Sequence, residues 1–144
     1  MGFGFGPLPN VIQVTSAAPT GTSSAGTLVM LGLAGSITPS VTGRVLFMVS
    51  GNFASGTTND GGAAQISYGT GGAPSNGGGL TGTQVGNLAT MTADLAGSDK
   101  MPFSTQFMVS TLTVGTVYWF DLAFEALTGG TFSITTVTMT AMEL

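Results

Sequence analysis

From Arg44 onward, apolar positions recur in short runs divided by glycine, threonine and asparagine. RVLFMVSG is a continuous apolar run, the pattern of a strand buried on both faces or at a subunit contact, and is expected to stop at Gly51. AQISYGTG and TQVGNLATMTADL read as further strands, with TNDGG in a loop between RVLFMVSG and AQISYGTG. In FSTQFMVS, Phe103, Thr105, Phe107 and Val109 share one side. In VYWFDLAFE, Tyr118, Phe120, Leu122 and Phe124 form an apolar face, and Asp121 and Glu125 lie on the other. TFSITTVTMTAMEL is threonine-rich and β-branched, and a strand in that position is expected to be tied into a sheet.

The earlier part of the chain has a different texture. MGFGFGPLPN, a short extended piece VIQVTS, and AAPTGTSSAG make an arm over residues 1–26, in which Pro7, Pro9 and Pro19 disfavour helix. VIQVTS is β-branched and predicts a strand that pairs in cis or in trans. TLVMLGLAGSITPSVTG predicts one strand with a glycine kink or two short strands. Seven or eight strands joined by glycine-rich turns, with no convincing helix, give the expected fold. It is all-β, a jelly-roll-like antiparallel β-sandwich over residues 27–144 with an extended N-terminal arm.

Composition changes this picture in one respect. The 144 residues are 42% hydrophobic and only 6% charged, against about 25% charged in an average domain. So few charges favour a chain whose faces are partly covered by neighbours. The 24 glycines alone would point to disorder, but the aromatic and β-branched runs supply the apolar area that disordered chains lack.

Charge and residue types then exclude function classes. The net charge is -4, with Arg44 and Lys100 the sole basic residues, so neither nucleic acid nor an anionic membrane surface is an expected partner. No apolar stretch approaches the ~20 residues of a membrane span. Histidine and cysteine are absent, which removes the common nucleophile–base pairings and zinc sites. MGFGFG lacks the basic and apolar regions of a secretory signal, and Gly6 stands where a myristoylation signal needs serine or threonine.

What remains for catalysis is a carboxylate pair drawn from Asp60, Asp94, Asp99, Asp121, Glu125 and Glu143. Asp121 and Glu125 share a strand face, and the plainer reading is a solvated face. TNDGG lacks the alternating ligands and closing glutamate of a calcium loop and reads as a turn. GTGGAPSNGGG has no lysine and reads as a long excursion, not a phosphate loop. Asp99 and Lys100 read as a solvated turn. No catalytic residue, metal or cofactor is expected. Tyr118 and Trp119 are candidate trimer or glycan contacts, the former preferred because aromatic residues are enriched in interface cores.

The segments GRVLFMVSGNFASGTTNDGGAAQISYGTGGAP, LTGTQVG, TVGTVYWFDLAFEALTGGT and MTAMEL together resemble small tailed-phage and prophage virion proteins, over residues 27–144. The resemblance implies a β-sandwich virion component of the sort that forms trimers on capsids or in fibres, and it carries over no catalytic residue. The expectation is a homotrimeric capsid decoration protein on the outer surface of a phage virion. It would be anchored to itself, the major capsid protein or another virion protein through Phe3, Phe5, Leu8, Val11 and Ile12. The alternative is a fibre or tail-tip domain that recognises a host glycan.

Overall fold

A computed structural model of the chain describes residues 6, 8–15, 20–22, 24–93 and 100–144. It contains ten strands: β1 Val11–Thr15, β2 Thr20–Thr22, β3 Val29–Met30, β4 Gly35–Ile37, β5 Val45–Ser55, β6 Asp60–Gly69, β7 Thr83–Ala93, β8 Lys100–Val109, β9 Tyr118–Ala126 and β10 Phe132–Glu143. One sheet has the order β1-β10-β5-β8, with β2 also on β10; the other has β3-β9-β6-β7, with β4 also on β9. Every ladder is antiparallel.

The pairing is nested: β1 and β2 with β10, β3 and β4 with β9, β5 with β8, β6 with β7. That is one long antiparallel ribbon folded so that its pairs alternate between two sheets, which is the jelly-roll arrangement. The chain is all-β among its described residues, and the segment expected as an arm contributes β1 and β2 to the first sheet, pairing in cis.

Alternation sets which side chains meet between the sheets. On β5, Val45, Phe47, Val49 and Phe53 point inward; on β10, Phe132, Ile134, Val137, Met139 and Ala141 do. β9 is central, so it is buried on both faces and not only along Tyr118, Phe120, Leu122 and Phe124. Phe53 stacks on Phe103 at 3.9 Å and meets Phe132 at 5.2 Å, while Phe47 lies 5.7 Å from both Tyr68 and Phe120. The pairs at 5.2 and 5.7 Å add about 0.5–1.5 kcal/mol each beyond the burial of their area.

Two expectations are corrected. The strand beginning at Val45 does not stop at Gly51 but runs to Ser55, because β10 bulges between Thr135 and Thr138 opposite it and pairing resumes beyond. TNDGG is not wholly loop: Asp60 and both glycines begin β6, since the missing side chain of Gly62 leaves room for the Phe132 ring. TLVMLGLAGSI forms two short strands, β3 and β4.

Candidate functional site

Among the described residues three carboxylates lie inside the molecule, each at a place where a loop meets a strand. Glu143, on the inward side of β10, accepts hydrogen bonds from the amides of Val41 (2.7 Å), Thr42 (2.6 Å), Ser40 (3.0 Å) and Asn10 (3.3 Å). The Ser40 hydroxyl donates to it as well, at 3.0 Å. Burial pushes this carboxyl up, but the amides of Ser40, Thr42, Val41 and Asn10 outweigh it and hold the pKa at about 2, against 4.5 ordinarily.

Asp60 does the same at the opposite end, accepting from the amides of Thr128 (3.0 Å) and Gly130 (2.8 Å) in the loop between β9 and β10. Burial raises its pKa, and hydrogen bonds from Gly61, Thr128 and Gly130 more than reverse this, so the net shift is downward. Asp121 fills the gap between β3 and β4, taking the amides of Gly32 (2.8 Å), Leu33 (2.9 Å) and Leu122 (2.8 Å). There burial prevails and the pKa is raised, with the three amides offsetting only part.

The solvated-face reading of Asp121 is therefore overturned, since that carboxylate is fully buried. Asp60, placed in a loop by its sequence, is buried at the start of a strand. The three acids occupy separate places and are filled by donors of their own chain, so they do not converge on one cleft. Among the described residues no group of three or more metal-ligating side chains comes together, and no helix is long and apolar enough to cross a membrane. Asp94 and Asp99 lie outside the described residues. Lys100 begins β8, exposed, and not in a turn.

Trp119 is only 4% exposed, and its indole N–H donates to the carbonyl of Thr70 at 3.1 Å. With Met30 and Ala123 it forms a small apolar cluster on the outer face of the second sheet, with Leu28 packed against it. The glycine-rich segment 70–82 crosses this face to β3, where Gly78 and Gly77 exchange backbone bonds with Met30 and the Asn76 amide donates to the Leu31 carbonyl. Gly82, at φ +77°, sits against the indole where any side chain would strike it. Trp119 thus offers no open face to a sugar, which corrects its candidacy as a stacking platform. Tyr118 is half-buried, and its hydroxyl accepts from the Thr113 amide at 3.0 Å.

Of the candidate anchors, Phe3 and Phe5 lie outside the described residues. Leu8 is 80% exposed, Val11 57% and Ile12 38%. Leu8 stands at the end of the sandwich where its carbonyl accepts from the Ser40 hydroxyl, beside exposed Val41 and Leu144.

The surface missed by sequence reading is the outer face of the first sheet. Register aligns Val11, Met142, Leu46 and Met108 in one row across four strands. The next row is Gln13, Thr140, Met48 and Gln106, and the third Thr15, Thr138, Ser50 and Ser104. None of these positions is charged. Among the described residues, only Arg44, Lys100 and Glu125 are charged side chains with solvent access.

No protein-family model and no curated protein matches the chain. Solved structures do. A chain in the structure of infectious bursal disease virus Gx strain superposes with a TM-score of 0.58 at 14% identity, over 95% of this chain and 33% of that one. The VP2 subviral particle of infectious bursal disease virus matches with a TM-score of 0.48 at 13% identity, over 94% of this chain and 37% of that one. The C-terminal domain of EclA, a sugar-binding protein, matches with a TM-score of 0.44 at 11% identity, over 86% of this chain and 78% of that domain's chain. This chain spans about a third of the length of the two viral chains. What the first superposition establishes is architecture: the chain is a jelly-roll-like antiparallel β-sandwich, a fold it shares with part of a chain in a virus structure.

Proposed function

We propose that this chain is a bacteriophage virion structural protein, a homotrimeric decoration protein on the outer surface of the capsid. The observation that carries the reading is a jelly roll with almost no accessible charge among its described residues, and with Leu8, Val11, Val41 and Leu144, four of its exposed apolar residues, at the end where β1 begins. A chain that works alone in water needs a solvated surface; one that spends its life in an assembly does not. The motif resemblance to phage virion proteins and the fold shared with part of a virus structure support the same direction. The role is mechanical rather than catalytic and takes no cofactor, a reading supported by the three buried acids Asp60, Asp121 and Glu143, whose oxygens are taken up by backbone amides.

Anchoring falls to the residues ahead of β1 and to its first two positions, with Phe3 and Phe5 as rings followed by Leu8, Val11 and Ile12. Each square ångström of apolar area covered at the contact contributes about 25 cal/mol. The test must spare β1 and β2, which belong to the sheet, so residues 1–7 are removed and not 1–26. The full chain is expected to co-sediment with purified particles and the truncated chain to be lost from them. Full occupancy by the truncated chain would sink the anchor; a chain never found on particles would sink the virion assignment.

A further inference from the structure

We propose that the outer face of the first sheet, led by the row Val11, Met142, Leu46 and Met108, is the surface through which one copy of this chain docks on a second. The inference rests on the assembly reading above and names the contact that reading leaves open.

An antiparallel sheet that faces water ordinarily carries polar and charged side chains on its outer face. Here three successive rows over four strands carry no charge: the first row is wholly apolar, and the second and third, apart from Met48, hold neutral glutamine, threonine and serine. Met48 adds a third methionine beside Met142 and Met108. Methionine enrichment with depletion of lysine, glutamate and aspartate is the composition of interface cores. Arg44 bounds the face at one end, its guanidinium 3.6 Å from the Met108 sulfur, and Lys100 bounds it at the other.

Charge selects the occupant. A partner with a charged surface would lose solvation against this face and find no counter-charge. A second copy meets the requirement, because its own described surface offers only Arg44, Lys100 and Glu125 as accessible charges. Size then says how the contact extends. Four strands at about 4.8 Å and five residues at about 3.4 Å give roughly 300–400 Å², whereas a stable interface covers about 800 Å² per partner. The remainder comes from the adjoining end, where Leu8, Val41 and Leu144 are exposed next to the first row.

The experiment is sedimentation velocity on the full chain over a concentration series, comparing the native sequence with Met108→Lys, Val11→Lys and a control, Ser75→Lys, on the exposed 70–82 segment. Met108 and Val11 are themselves exposed, so circular dichroism melting should be unchanged in all three. The native chain and the control are expected to associate, and the two row variants to do so at least about tenfold more weakly, since each contact would bury an unpaired ammonium. Row variants that associate like the native chain, a control that weakens association equally, or a native chain that stays monomeric would each overturn the proposal.

The chain has no cysteine, so Val11→Cys supplies a single thiol for a short cross-linker on assembled particles. A linked pair of copies supports the face; a link to a different protein overturns it. Co-sedimentation with particles is scored separately. Copies that pair through this row but never join particles refute the virion function and not the face, and copies that join particles without pairing do the reverse.

Discussion

One carboxylate, that of Glu143, holds amides from residues 10, 40, 41 and 42, so two chain segments that are distant in sequence are tied to β10 through a single anion. Glu143→Gln keeps the shape and removes the charge, leaving several of these amides poorly satisfied; the expected cost is about 2–3 kcal/mol in urea unfolding at pH 7. The pH dependence follows from the same bonds. The carboxyl titrates near 2 when folded and near 4.5 when unfolded, so the unfolded chain binds more protons between those values. Its stabilising contribution is complete above pH 4.5, declines as pH falls from there, and is gone below about 2. The native chain and Glu143→Gln should therefore differ at pH 7 and converge near pH 2 when unfolding is followed at both. Asp60 acts in the same direction and Asp121, whose pKa is raised, in the opposite one. A difference that persists undiminished at pH 2 would show that Glu143 works by shape and not by charge.

At the scale of elements, the seating of segment 70–82 on the outer face depends on a single residue, Gly82. Gly82 has φ +77°, and an added methyl would meet both the indole of Trp119 and the carbonyl of Tyr68. Gly82→Ala is expected to cost about 1–2 kcal/mol in backbone strain alone and to lift the segment from the outer face. The protein has one tryptophan, so its emission maximum should move to longer wavelength and its quenching by acrylamide should rise. Gly79→Ala, at an ordinary φ with nothing within 4 Å, is the control and should leave both unchanged.

The strands themselves were legible: β8 sets Phe103, Phe107 and Val109 at a period of two, β5 opens on a continuous apolar run, and β10 is threonine-rich and β-branched. Glu143 could have been read inward on the same grounds, sharing the parity of Val137, Met139 and Ala141. Asp121 could not: it shares the side of Trp119, and that side is buried by a glycine-rich segment whose path no local pattern reveals. The uncharged outer face was hidden for a related reason, since its rows appear only once register aligns residues as far apart as Val11, Leu46 and Met142.

For the whole molecule, the nested ribbon makes nearly every strand wait for a distant partner. β1 begins at Val11, yet its ladder requires Met142. Loops that long must close before their contacts are rewarded, and all-β folds of this sort refold in milliseconds to seconds. Stopped-flow refolding followed by Trp119 emission should fall in that window, and a chain ended at Thr131, lacking β10, should show no cooperative unfolding because β1, β2 and one edge of β5 lose their partner. Microsecond refolding, or cooperative unfolding without β10, would contradict this topology as the folding unit.

The pairing of β1 with β10 also decides how the molecule bears load. Val11 lies opposite Met142, so residues 8 and 144 leave the sheet at the same end. Tension applied between those two points would peel the ladder apart one bond at a time, a weak geometry. Tension between residue 8 and a body held by its sheet face instead drags β1 along its own axis, loading the bonds to β10 together. The strand is a poor handle when both ends are pulled and a strong one when the body is the other grip.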